Sequence, residues 1–135
     1  MTARPLEKTL RDFLKDELSS LNVSVPTKGR KLELFRNIKI IPDIIAKKEG
    51  YPTSLFSIKC WVGTSQIRET FAYAYFSKMW YGQKNIRVYM IIFQPIPDYI
   101  KDVEKICRPY IDGVYSLSGE PYFDELVEEL IQLYK

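Results

Sequence analysis

The chain has 135 residues, 46% hydrophobic and 27% charged, with a formal net charge of +3 at pH 7; that balance fits one soluble domain with a single core and excludes a disordered chain or a second domain. Histidine is absent, which removes Ser-His-Asp and Cys-His hydrolysis, imidazole proton shuttles and most zinc sites, and leaves carboxylate, lysine, tyrosine or a hard oxygen-bound metal for any chemistry. No apolar run approaches the roughly 18 residues of a membrane span, and the opening Met1 to Glu7 has no apolar secretory core, so the expected setting is cytoplasmic.

From Pro5 to Leu21 the spacing predicts a helix, because Leu6, Leu10, Phe13, Leu14, Leu18 and Leu21 share an arc of about 140° at 100° per residue. Pro5 suits its first turn. Glu7 and Glu17 fall inside that apolar arc, where an acid implies either a function or an edge position with a salt bridge. After the turn at Pro26 to Arg30, strands are predicted over Lys31 to Phe35, Ile38 to Ala46 and Ser54 to Val62, all rich in β-formers. A second helix starts near Thr64 or Ser65, either of which can cap it, and runs to Tyr81 before Gly82. Ile86 to Phe93 reads as an uncharged, buried strand. A short helix opens at Pro95 and Pro97 and reaches Cys107, Gly113 to Leu117 is a brief strand, and Tyr122 to Tyr134 is a closing amphipathic helix. The order αβββαβαβα implies an α/β domain over residues 1–135, with a mixed sheet covered by helices on both faces. Cys60 and Cys107 lie too far apart for a zinc cage and read as reduced, buried apolar residues.

Side chains two apart share a strand face, so Ser57 and Lys59 point together, and Asp43 on the neighbouring strand can meet them. Pro42 removes a ladder donor beside Asp43 and favours a strand edge or bulge, where a side chain can turn toward a ligand. Magnesium takes about six oxygens but only one or two carboxylates, so a second acid is required nearby. On the second helix Gln66, Glu69, Tyr73, Phe76 and Trp80 lie on one stripe of about 80°, with Gln66 and Glu69 in the turns nearest the Lys59 strand. In this reading Asp43 and Glu69 bind Mg2+ or Mn2+, Gln66 orients a water or a phosphate, and Lys59 stabilises charge developing on phosphate. Metal-assisted attack of water on a phosphodiester needs no histidine.

Pro42-Asp43 on one strand, Ser57-Ile58-Lys59 on the next and an acid on the following helix resemble the PD-(D/E)xK nuclease superfamily. The resemblance covers Pro5 to Phe93 and implies a restriction-endonuclease-like fold built on a helix, a three-strand meander, a helix and further strands. The position of Ser57 is usually Asp or Glu in that family, but a subset of type II restriction endonucleases carries Ser-x-Lys and moves the acid into the next helix, as Glu69 does here after a shorter gap. By the same resemblance the backbone carbonyl of Ile58 is a metal ligand and Glu7 is an accessory acid, with Glu17 the weaker candidate. The implied activity is a metal-dependent deoxyribonuclease, an endonuclease rather than an exonuclease, of the restriction, repair or junction-resolving kind. A domain this small has little surface for reading DNA, so a homodimer is expected, each subunit cutting one strand of duplex or branched DNA.

Lys28, Arg30, Lys31, Lys47, Lys48 and Arg68, with Lys78, are candidate contacts to the DNA backbone, although the acids among them also suit an ordinary solvated surface. Tyr73, Phe76 and Trp80 at helical spacing read as core rather than as a base-stacking platform. Two other readings stay open. One is a nuclease-fold module that has lost catalysis and serves as a nucleic-acid-binding or protein-interaction domain, since decay of the usual acid would also leave Ser57. The other is an unrelated α/β interaction domain in which Asp43 and Lys59 form a structural pair.

Overall fold

The computed structural model of the chain describes residues 4–27, 31–34, 38–60, 63–99, 102, 105 and 110–135. Helix α1 spans Arg4–Leu18, and a 3-10 turn over Ser19–Leu21 ends at Asn22, whose φ of 60° is left-handed; asparagine is among the few non-glycine residues that tolerate it. Strands β1 (Leu32–Leu34), β2 (Ile38–Ile40), β3 (Ile44–Ala46) and β4 (Thr53–Lys59) lead into α2 (Thr64–Tyr81). Strands β5 (Ile86–Ile92) and β6 (Gly113–Ser116) follow, and α3 (Phe123–Tyr134) closes the chain.

The single strand expected from Ile38 to Ala46 is two strands in different sheets. β1 and β2 form an antiparallel ribbon of their own, while β3 joins a mixed sheet of order β3-β4-β5-β6. β3 is antiparallel to β4, and β4, β5 and β6 run parallel. The reason lies at Pro42. The register pairs Ile44 with Phe56 and Ile45 with Leu55, so its continuation would set Pro42 against Ile58, and proline has no N–H to give.

Alternation along the strands divides the core in two. Leu10, Leu14 and Leu18 of α1, with Leu126, Leu130 and Tyr134 of α3, pack on Ile44, Phe56, Ile58, Tyr89 and Ile91. On the opposite face Ile67 and Ala74 of α2 cover Ile45, Leu55, Val88, Met90 and Ile92. Each fully buried side chain of this kind contributes about 1.5–3 kcal/mol. β5 is covered on both sides, which is why it carries no charge from Val88 to Ile92.

Polar ties set the layers in register. Lys78 Nζ, nearly sealed from solvent, donates to Asp112 Oδ2 at 2.7 Å, and the same oxygen accepts Val88 N–H at 2.7 Å. The Tyr134 hydroxyl bonds Ser54 Oγ at 2.8 Å and donates to Pro52 O at 2.7 Å, docking the end of α3 under the start of β4.

Some local expectations are corrected. Gly63 rather than Thr64 or Ser65 is the N-cap of α2, and its N–H is received by Gln66 Oε1 at 3.0 Å. Phe13 sits at a rim against Phe123, with ring centroids 5.8 Å apart. Glu17 is exposed, so it is not an acid on a packing face. Of the helix expected after Pro95, Asp98, Tyr99, Asp102 and Lys105 are helical, and its remainder, with Cys107, lies outside the described residues. No helix among the described residues is long and apolar enough to cross a membrane.

Candidate active site

Where the β3–β4 ladder stops, the side chain of Asp43 takes over. Its backbone N–H still reaches Phe56 O at 3.1 Å, and its carboxylate Oδ2 accepts the backbone N–H of Ile58 at 2.7 Å. The backbone of Ile58 therefore faces the open edge beside Asp43, and its carbonyl, which shares that direction, faces it too. From the α1 layer, Arg11 Nη2 donates to the Asp43 carbonyl at 3.3 Å. Asp43 is thereby held from three directions.

Ser57 and Lys59 follow on the face of β4 that looks toward α2, as period-two alternation requires. Lys59 Nζ lies 3.2 Å from Glu69 Oε1; the lysine side chain is 20% exposed and the glutamate 72%. The buried Thr70 Oγ1 donates to Ser57 Oγ at 3.4 Å. Asp43, Ser57, Lys59, Glu69, Thr70 and Tyr73 line one cleft of about 370 Å3, whose apolar wall includes Ile41, Pro42 and Phe56. The ribbon of β1 and β2 borders it through Ile40 and is tied to α2 by the Tyr81 hydroxyl, which donates to Glu33 O at 2.7 Å. Burial, and then the nearby Asp43 charge, push the Tyr73 phenol well above its ordinary pKa, so it stays protonated.

No protein-family model, curated protein or solved structure matches this chain.

Four residues singled out in the sequence, Asp43, Ser57, Lys59 and Glu69, meet in the cleft. Others do not. Gln66 does not line it, because its side-chain oxygen is taken by Gly63 N–H and by the Ser65 hydroxyl at 3.3 Å. Glu7 is half-buried on α1, one turn from Arg11, and α1 covers the opposite face of the sheet from α2. Lys47 and Lys48 follow β3 at the end of the sheet far from Lys59, about 20 Å away along β4. Lys48 Nζ is occupied there by Tyr134 O at 2.8 Å and stands over the Tyr51 ring. Arg68 is exposed beside Glu69. Lys31 is exposed next to Lys39, whose ammonium lowers its pKa. Lys28 and Arg30 lie outside the described residues, and Lys78 is buried in its ion pair rather than offered to phosphate.

One expectation for the face of α2 is corrected. Phe76 and Trp80 are 43% and 51% exposed, so they are not core; the buried face is Ile67, Thr70, Ala74, Ser77 and Lys78. Thr70 and Arg11 were not singled out from sequence. A hydroxyl at a core position three residues after Ile67 was a usable signal for Thr70, whereas nothing in the spacing marks Arg11.

The donors suit a hard divalent cation. Among the described residues no three of His, Cys, Asp or Glu converge, so an ion in this cleft would rest on two carboxylates, Asp43 and Glu69, with the Ile58 carbonyl and water. Magnesium usually takes that ration of carboxylate, whereas zinc favours nitrogen and sulfur ligands.

Proposed function

We propose that the protein is a metal-dependent nuclease of the PD-(D/E)xK type, with a restriction-endonuclease-like fold, that hydrolyses DNA phosphodiester bonds. The observation that supports it is the convergence of Asp43, Lys59 and Glu69, from β3, β4 and α2, on one cleft. Asp43 and Glu69, with the Ile58 carbonyl, would hold Mg2+ or Mn2+. When bound, the ion supplies an activated water and offsets charge on the phosphate.

The remaining work falls to the chain's own side chains. Lys59, partly withdrawn from solvent, places an ammonium where phosphate oxygens gain charge, and a desolvated cation counts for more there than in water. Its pairing with Glu69 aims the ammonium into the cleft in the free protein. The Thr70–Ser57 hydroxyl contact pins the second turn of α2 to β4 and so sets the distance between Glu69 and the strand. Arg11 fixes the backbone of Asp43 from behind. Lys31, Lys39 and Arg68 are the exposed cations for the flanking backbone. Cutting both strands of a duplex calls for two such clefts, hence a homodimer acting in the cytoplasm.

Calorimetric titration with Mn2+ tests this reading. The parent protein binds the ion, and Asp43→Asn combined with Glu69→Gln abolishes binding while the protein stays folded. Equal binding by parent and double variant refutes the assignment, and a parent that binds no ion favours a nuclease-fold module without catalysis.

A further inference from the structure

The buried donors that lack a partner gather at one residue. Among the described residues, the buried side-chain nitrogen or oxygen atoms with no hydrogen-bond partner are Arg11 Nε and the Tyr73 hydroxyl oxygen. Arg11 is the residue that donates to the Asp43 carbonyl, and Tyr73 lines the cleft with Asp43, whose charge acts on its phenol. Leaving a buried donor unmet costs about 1–3 kcal/mol, and native folds seldom keep one without a function or a ligand to explain it. Here the two fall on either side of the same aspartate, Arg11 from the α1 layer and Tyr73 from α2, where the β3–β4 ladder gives way to the Asp43 side chain.

The chemistry of the missing acceptor is constrained. Tyr73 sits one turn after Glu69, so both project from α2 toward the same stretch of sheet. Its phenol remains a neutral donor across the working pH range, which suits an anionic oxygen and not a cation. Asp43 Oδ2 already accepts the Ile58 N–H, and the cleft also presents the Lys59 ammonium. A group with several anionic oxygens satisfies all of these at once.

We infer that Tyr73 is a phosphate-binding residue whose hydroxyl donates to a non-bridging oxygen of the phosphodiester lying in this cleft. The inference rests on the nuclease reading and deepens it. In the free protein the hydroxyl is an unmet polar group; in the complex it gains a charged acceptor. Stability and activity therefore respond to its removal in opposite directions, which a merely structural tyrosine would not show.

Tyr73→Phe removes the hydroxyl and keeps the ring. The expected result is a melting temperature at or above that of the parent, by up to about 3 °C, together with a fall in kcat/KM of about ten- to a hundredfold, the worth of a hydrogen bond to a charged group. Plasmid nicking with Mg2+ or Mn2+ and a thermal melt provide the two readouts. A parent that cuts and a Tyr73→Phe variant that cuts equally well overturn this inference alone. Loss of both activity and stability in the variant also overturns it, since the hydroxyl would then be supporting the fold. A parent inert on plasmid, four-way junction and single strand in both metals overturns the nuclease reading, and this inference with it.

Discussion

The carboxylate of Asp43 receives the backbone N–H of Ile58 at 2.7 Å, so one side chain both finishes a strand ladder and stands at the rim of the cleft. These two duties separate by mutation. Asp43→Asn keeps an oxygen acceptor, and we expect it to fold with a loss below about 1 kcal/mol while losing metal-dependent cleavage. Asp43→Ala leaves the Ile58 N–H unmet and is expected to cost about 1–3 kcal/mol as well. Chemical denaturation of both variants beside a cleavage assay distinguishes the duties; equal stability of the two would show that the cap contributes nothing.

Glu69 predicts the reverse balance. Its side chain is 72% exposed, and ion pairs of such exposure contribute about 0–1 kcal/mol. Glu69→Gln is therefore expected to leave the melting temperature unchanged within about 2 °C and to weaken Mn2+ binding. A marked loss of stability with intact metal binding would make the Lys59–Glu69 pair structural.

Gln66 is expected to matter for folding only. Its oxygen accepts the Gly63 N–H at 3.0 Å, an N-terminal cap worth about 1 kcal/mol. Gln66→Ala should lower stability by about that amount and leave kcat/KM within twofold of the parent, as measured by denaturation and plasmid cleavage.

Much of the architecture is legible in the residues. Periodicity locates α1 and α3, capping residues and Gly82 bound α2, and the charge-free run locates β5. The ladder defect at Pro42 was readable as an edge or bulge, but not as a division between two sheets, because that depends on whether β1 offers β2 a better partner than β4 does. The aromatic stripe of α2 misleads for a related reason. Which side of a helix faces a sheet is decided by what lies across the gap, and here Ser57 and Asp112 draw in Thr70 and Lys78, turning Phe76 and Trp80 outward. Asp43, Lys59 and Glu69 were recoverable because their elements are consecutive in sequence. Arg11, which approaches from the far layer, was not.

Alkaline pH should destabilise the fold. Burial raises the phenol pKa of Tyr73, Tyr89 and Tyr134 above the ordinary 10.0. The unfolded chain thus releases these protons near pH 10 while the native state keeps them, and the stability they confer is fully present below pH 10 and lost above it. Each contributes a slope of about 1.4 kcal/mol per pH unit. Lys78 has the opposite sign, since burial lowers its pKa from 10.5 and stability rises with pH in the interval below that value. With three buried phenols against the one buried amine, and Lys31 fully exposed, melting temperatures measured from pH 9 to 11.5 are expected to fall steeply beyond pH 10. A flat profile would show that these phenols are not withdrawn from water.

The central claim is that the ammonium of Lys59 acts on a phosphodiester held beside Asp43 and Glu69, and incubating supercoiled plasmid and four-way junctions with parent and Lys59→Ala protein in Mg2+ or Mn2+ tests it most directly. The account predicts cleavage by the parent and a loss of about a hundredfold or more in the variant, with both proteins melting alike. Cleavage by Lys59→Ala at the parental rate would contradict it.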